Sequence, residues 1–111
     1  MEANEVDILS KNHWGYVREL SQVELLHLRF KQISINLNDV ELNYLIDELE
    51  NDKHHEWFNT YLGQRVFIHA VALNLDFVFS KLEKDGLLKL LREAYLVHET
   101  RRIIKYKAAN K

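Results

Sequence analysis

Two nine-residue stretches of the chain share one pattern of apolar and polar positions. Residues 20–28 read LSQVELLHL and residues 37–45 read LNDVELNYL, five identities in nine. In each, a Ser or Asn stands three positions before a Glu (Ser21 with Glu24, Asn38 with Glu41). That is the spacing of a capping box, in which the cap side chain accepts from a backbone N–H and the Glu reaches back. Leu20 and Leu37, ahead of the two caps, are placed to staple against Leu25 and Leu42. The echo reads as two helix starts and not as a repeat protein, which needs several copies. It predicts helices over about 21–33 and 38–52.

Elsewhere the pattern is less uniform. Residues 7–19 read as a short helix or turn region carrying Trp14 and Tyr16, and 50–55 (ENDKHH) as a polar connection. In residues 64–80 (QRVFIHAVALNLDFVFS), Leu73, Leu75, Phe77 and Phe79 alternate as in a strand. At helical spacing, however, Tyr61, Ile68, Val71, Leu75, Val78 and Leu82 fall on one face, and Arg65, His69, Ala72, Asp76 and Glu83 on another. The helical pattern persists for more than four turns, and no turn residue splits the segment, so helix is favoured. KDG at 84–86 reads as a turn before a last helix from about Leu87 to Tyr106. The expected fold is all-α: one domain over 1–111, a compact bundle of four or five helices. An α+β alternative, with strands near 28–37 and 64–80, stays open because FKQISINL (30–37) also alternates.

Composition narrows the class. With 111 residues, 47% hydrophobic and 29% charged, the chain suits one soluble globular domain. It has no proline and only three glycines, which favours helices with short connections over many tight turns. The lack of cysteine excludes disulfides, thiol nucleophiles and Cys-ligated zinc. The N-terminus (MEANEVDILSKN) shows no secretory pattern, and no uncharged apolar run approaches the roughly 18 residues of a membrane span. A cytoplasmic location is expected. Richness in Asn, Ile, Lys and Leu fits a low-GC genome, such as that of a bacterium or phage.

Charge is uneven. Residues 1–55 hold eleven acids against five Lys/Arg, and residues 56–111 hold six against ten. The plainest account is one acidic and one basic helix; the functional one is a surface with opposed poles. Cations at the C-terminus of the last helix also complement its dipole.

The candidate chemistry is sparse. Glu24-x-x-His27 has the carboxylate–imidazole spacing of di-metal helical bundles, with Asp52-x-x-His55 as a degenerate second copy. Eleven Glu and six His give such a spacing by chance about as often as not, and His54-His55 lacks a third ligand at zinc-site spacing. No metal or cofactor is expected. On one helix His69 and Asp76 lie two turns apart, too far for a base and its orienting acid to touch, so the Arg65–His69–Asp76 stripe reads as a solvated face. Arg92-Glu-Ala-Tyr-Leu-Val-His98 resembles the Arg-x4–6-His motif of the HEPN helical ribonucleases, over seven residues and with Glu93 where that family has a non-acidic polar residue. The resemblance implies metal-independent RNA cleavage by Arg92 and His98 at a dimer interface.

No hydrolase, phosphate-loop or dinucleotide motif is present. Nucleic acid contact through the basic last helix is a further reading, though a sequence pI of 6.3 is low for such a domain. The expectation is therefore a recognition module: a regulator, adaptor or inhibitor of a partner protein, with homodimerisation in view. Its expected contact residues are Trp14, Tyr16, Arg101, Arg102, Lys105 and Tyr106, of which the Trp, Tyr and Arg are types that often supply interface hot spots. Trp57 and Tyr61 are expected in the core, and Trp14 and Tyr16 on the surface.

Overall fold

The computed structural model describes residues 7–109, and they form an α+β fold. The expected all-α helical bundle is wrong. A four-stranded antiparallel meander comes first: β1 (Ile8–Asn12), β2 (Gly15–Leu20), β3 (Leu25–Phe30) and β4 (Ile33–Leu37). Helix α1 (Asp39–Glu50) and a short 3-10 turn (Asp52–His54) lead to a three-stranded sheet: β5 (His55–Thr60), β6 (Gly63–Ala70) and β7 (Leu75–Phe79). The 29-residue helix α2 (Lys81–Ala109) closes the described chain.

The helix expected over 21–33 is the β2–β3 turn followed by β3. Leu26, Leu28 and Phe30 alternate into the core, and Glu24, the supposed third helical residue, adopts a left-handed φ of 54° in the turn. Burying three alternate large side chains on a sheet outweighs one local cap signal. Residues 7–19 are β1 and β2, not a helix. The second copy of the echo is a true helix start. Asn38 caps α1, its side chain accepting from the Glu41 N–H at 2.8 Å while Glu41 Oε1 accepts from the Asn38 N–H at 2.9 Å. Leu37 and Leu42 are both fully buried, as a staple requires.

Residues 64–80 are a hairpin, β6 and β7, so the helix expected there is also overturned. Val66, Ile68 and Ala70 point inward, opposite Phe79, Phe77 and Leu75. The last helix begins six residues earlier than expected and contains the KDG. Ser80 caps it: its Oγ accepts from Glu83 N at 3.1 Å, and Glu83 Oε1 accepts from Ser80 N at 2.8 Å. That is the same Ser-x-x-Glu signal the sequence offers at 21–24, now at a true helix start.

The fold contains a structural repeat, with different bounds from the sequence echo. Three antiparallel strands and a capped helix (β2–β4 with α1) are followed by three more and a capped helix (β5–β7 with α2). Leu26, Leu28 and Phe30 on β3 answer to Val66, Ile68 and Ala70 on β6. Asn38, Glu41, Leu45 and Leu49 answer to Ser80, Glu83, Leu87 and Leu91, with the four leucines fully buried. The units differ by β1, which pairs with β2 and has no counterpart beside β5 among the described residues.

α2 runs over β1 and β2, and α1 packs against α2, β4 and β6. The sheets meet where Phe30 and Phe79 stack edge to face at 5.8 Å. Two side chains tie β1 to the helix, Ser10 Oγ donating to the Leu90 carbonyl and Asn12 Nδ2 to that of Gly86. The molecule is long, with extents of 58 × 30 × 20 Å and a radius of gyration of 15.4 Å, against about 13 Å for a globular chain of this length. A 29-residue helix spans about 43 Å, and α2 has no buried side chain after Ala94. No helix among the described residues is long and apolar enough to cross a membrane.

Candidate functional site

The repeat arrangement opens a groove where the C-terminal half of α2 passes the β2–β3 turn and the first turn of α1. Glu19 lies opposite Leu26, on the inner face of the first sheet, and so faces α2. Asp39 is the first residue of α1. His98 of α2 stands between them, Nδ1 3.1 Å from Glu19 Oε1 and Nε2 2.8 Å from Asp39 Oδ1. An imidazole facing a carboxylate on each side uses both ring nitrogens as donors when doubly protonated. Arg101 adds a longer contact to Glu19, at 3.7 Å. One histidine thus joins three elements at the groove floor.

The groove encloses about 530 Å³. Leu20, Leu25 and Val40 give it an apolar wall, Glu24 and Asp39 an acidic side, and Arg102 and Lys105 a basic one. Val40, the second residue of α1, is 75% exposed although it lines the groove. Arg102 is held by Glu99 one helical turn back, at 2.6 Å.

The expected contact residues fall in three places. Arg101, Arg102, Lys105 and Tyr106 lie together on the last turns of α2, with Arg102 and Lys105 bordering the groove. Trp14, expected on the surface, is half-buried, 5.9 Å from Phe30 and packed on Gly86 at the other end of α2. Tyr16 is half-buried on the outer face of the first sheet, 6.3 Å from the His27 ring. Trp57 and Tyr61, expected in the core, are exposed, Tyr61 almost completely. The two pairs of aromatics exchange roles because 7–19 is a packed hairpin and 55–63 an edge hairpin.

The other chemical candidates are also relocated. Arg92 donates to Glu50 on α1, whereas His98 is engaged in the groove, so the HEPN-like pair is divided between two sites on a fold that is not a helical bundle. Glu24 lies in a turn and His27 on a strand, where Asn36 and Ser34 hold its ring. Glu24 and His27 therefore share no helix face. Among the described residues no group of three His, Cys, Asp or Glu is placed to hold a metal ion. His69 and Asp76, too far apart on a helix, are direct cross-strand partners and hydrogen-bonded, both solvent-exposed on the outer face of the second sheet.

A second surface escaped the sequence reading. Strand alternation places Tyr16, Arg18, His27, Arg29, Ser34 and Asn36 on the outer face of the first sheet, with no carboxylate among these positions. Five of the eleven acids of this half of the chain lie instead on α1, which carries no Lys or Arg. The acidic N-terminal half is therefore two surfaces of opposite sign. Once the strands are known, the period-2 positions give this face directly.

Residues 1–110 match the family described as Family of unknown function (DUF6686), and the chain belongs to it. No curated protein and no solved structure matches it.

Proposed function

We propose that this member of the family is a recognition domain that binds a protein partner through the groove between α2, α1 and the β2–β3 turn. It would act in the cytoplasm as a regulator, adaptor or inhibitor. The observation that supports this reading is Val40. An aliphatic side chain three-quarters exposed, beside Leu20 and Leu25 and between fixed charges of both signs, is a seat for an apolar anchor with a polar rim. The test is capture of partners by the tagged chain from native lysate, with and without nuclease, compared with Val40→Asp and Lys105→Glu. A stoichiometric protein that survives nuclease and is lost in both variants supports the reading. Equal capture by both variants overturns it.

The outer face of the first sheet favours a second reading, a nucleic acid strand lying across Tyr16, Arg18, His27 and Arg29. Cations with an interposed aromatic suit a phosphate backbone and its bases. Nuclease-sensitive capture that Arg29→Glu abolishes would move the assignment to that face.

A further inference from the structure

We infer that β5 is a pairing edge for a second copy of this chain, joined antiparallel to the same strand across a two-fold axis. This goes beyond the groove, which lies on other elements. The internal repeat shows what the position accepts: the edge of β2 is covered by β1, whereas β5, the corresponding strand of the second unit, has β6 as its one partner strand among the described residues.

The side chains of β5 match an edge meant to be covered. Trp57 and Phe58 are 38% and 41% exposed, on opposite faces of the strand, and the hairpin tip adds Tyr61 at 97% and Leu62 at 69%. Unpaired edge strands are often guarded by lysine or other charged side chains, proline, bulges or short length. The outer edge β1 has both a bulge between Ile8 and Ser10 and a lysine, Lys11. β5 reads HEWFNT, with one acid (Glu56) and neither lysine nor proline, and its register with β6 is unbroken.

The strand is also self-complementary. A two-fold axis normal to the sheet must set residues of one face opposite residues of the same face. Centring it on Trp57 places that indole against its own copy, Glu56 against Phe58 and His55 against Asn59. No like charges are opposed within the strand. The same register carries the Tyr61 ring over the exposed Asp52–His54 turn of the other copy, beside Lys53, where a cation can lie on an aromatic face. Two three-stranded sheets become one of six strands, with no edge left at β5.

The experiment is sedimentation equilibrium of the full chain from about 1 to 200 µM, paired with hydrogen exchange of the β5 amides at both ends of that range. The expected result is a monomer–dimer equilibrium in which β5 amides become protected as the dimer forms. Phe58→Glu, which opposes Glu56 of the other copy, weakens the dimer at least tenfold. Tyr61→Lys, at a side chain so exposed that the fold does not depend on it, weakens it as well. A wild-type chain monomeric at 200 µM overturns the proposal. So does a dimer whose β5 amides exchange equally fast at both concentrations, or one that Tyr61→Lys leaves unchanged.

Discussion

The indole of Trp14 lies directly on the α-carbon of Gly86: a β-carbon built on that glycine would stand 2.3 Å from Cζ3 and 2.8 Å from Cε3 of the ring. This contact explains why a KDG sequence sits inside a helix. Glycine costs a helix interior about 1 kcal/mol relative to alanine, and the approach of the β1–β2 turn to α2 requires that cost. Asn12 completes the joint, its Oδ1 accepting from the Trp14 and Gly15 N–H groups while its Nδ2 donates to the Gly86 carbonyl.

Gly86→Ala therefore sets a gain in helix propensity of about 1 kcal/mol against an overpacking cost of about 1–3 kcal/mol. The ring packs on His13 and Phe30 and would have to give up those contacts to yield, so the variant is expected to be net destabilised in denaturant titration. Trp14→Leu removes the clash. The double variant Trp14→Leu/Gly86→Ala should thus be more stable than the sum of the two single changes. Strict additivity would mean that the two residues do not touch.

The cap positions separate real helix starts from the sequence echo. Asn38→Ala removes an acceptor used by a helix N–H and should cost about 1 kcal/mol, and Ser80→Ala should cost about the same. Ser21→Ala, at the matching position of the echo, lies in an exposed turn that starts no helix. Its effect should stay within about 0.5 kcal/mol. A cost at Ser21 equal to that at Asn38 would restore the helix that the structure replaces with β3.

These caps also mark how far the sequence could be read. Asn38 with Glu41, and the apolar run of the last helix, are local signals, and the structure keeps both. The strands were hidden because the chain turns without the usual punctuation. Glu24, Lys31 and Asn74 take the left-handed conformation, so few turns carry a glycine. A scarcity of Gly and Pro then reads as a scarcity of turns. In residues 64–80 the two strands of a hairpin joined by Val71–Leu73 happen to match helical spacing, and only pairing partners far along the chain resolve the choice. The groove was legible only as the cations Arg102 and Lys105. Glu19, Asp39 and His98 come from three elements, and no spacing in the sequence joins them.

Glu83 links a cap to acid stability. Burial by itself would raise its carboxyl, but the hydrogen bond from Lys31, the Ser80 backbone N–H and the Ser80 hydroxyl outweigh burial, with the Lys31 charge adding to them, and hold it below its ordinary value. A carboxylate whose folded pKa is depressed contributes stability that is fully present above the unfolded pKa and lost as pH falls through the folded one. Glu83→Gln should therefore flatten the decline of Tm on acidification below the ordinary glutamate range and lower Tm at neutral pH. Parallel Tm–pH curves for the variant and the wild type would show that Glu83 takes no part in acid unfolding.

The last turns of α2 offer a separation of folding from recognition. The buried leucines and alanine of the helix end at Ala94, and His98 and Arg101 contact Glu19. From Arg102 to Ala109 every residue is exposed. Ending the chain after Arg102 should leave unfolding free energy within about 1 kcal/mol of the full chain, since removal of exposed side chains costs little. It also removes Lys105 from the groove rim and Tyr106 beside it, so capture of the protein partner should fall as it does in Lys105→Glu. A truncated chain that unfolds far more easily would show that the protruding turns support the sheets. A stable truncated chain that captures its partner undiminished would place recognition elsewhere than this end of the helix.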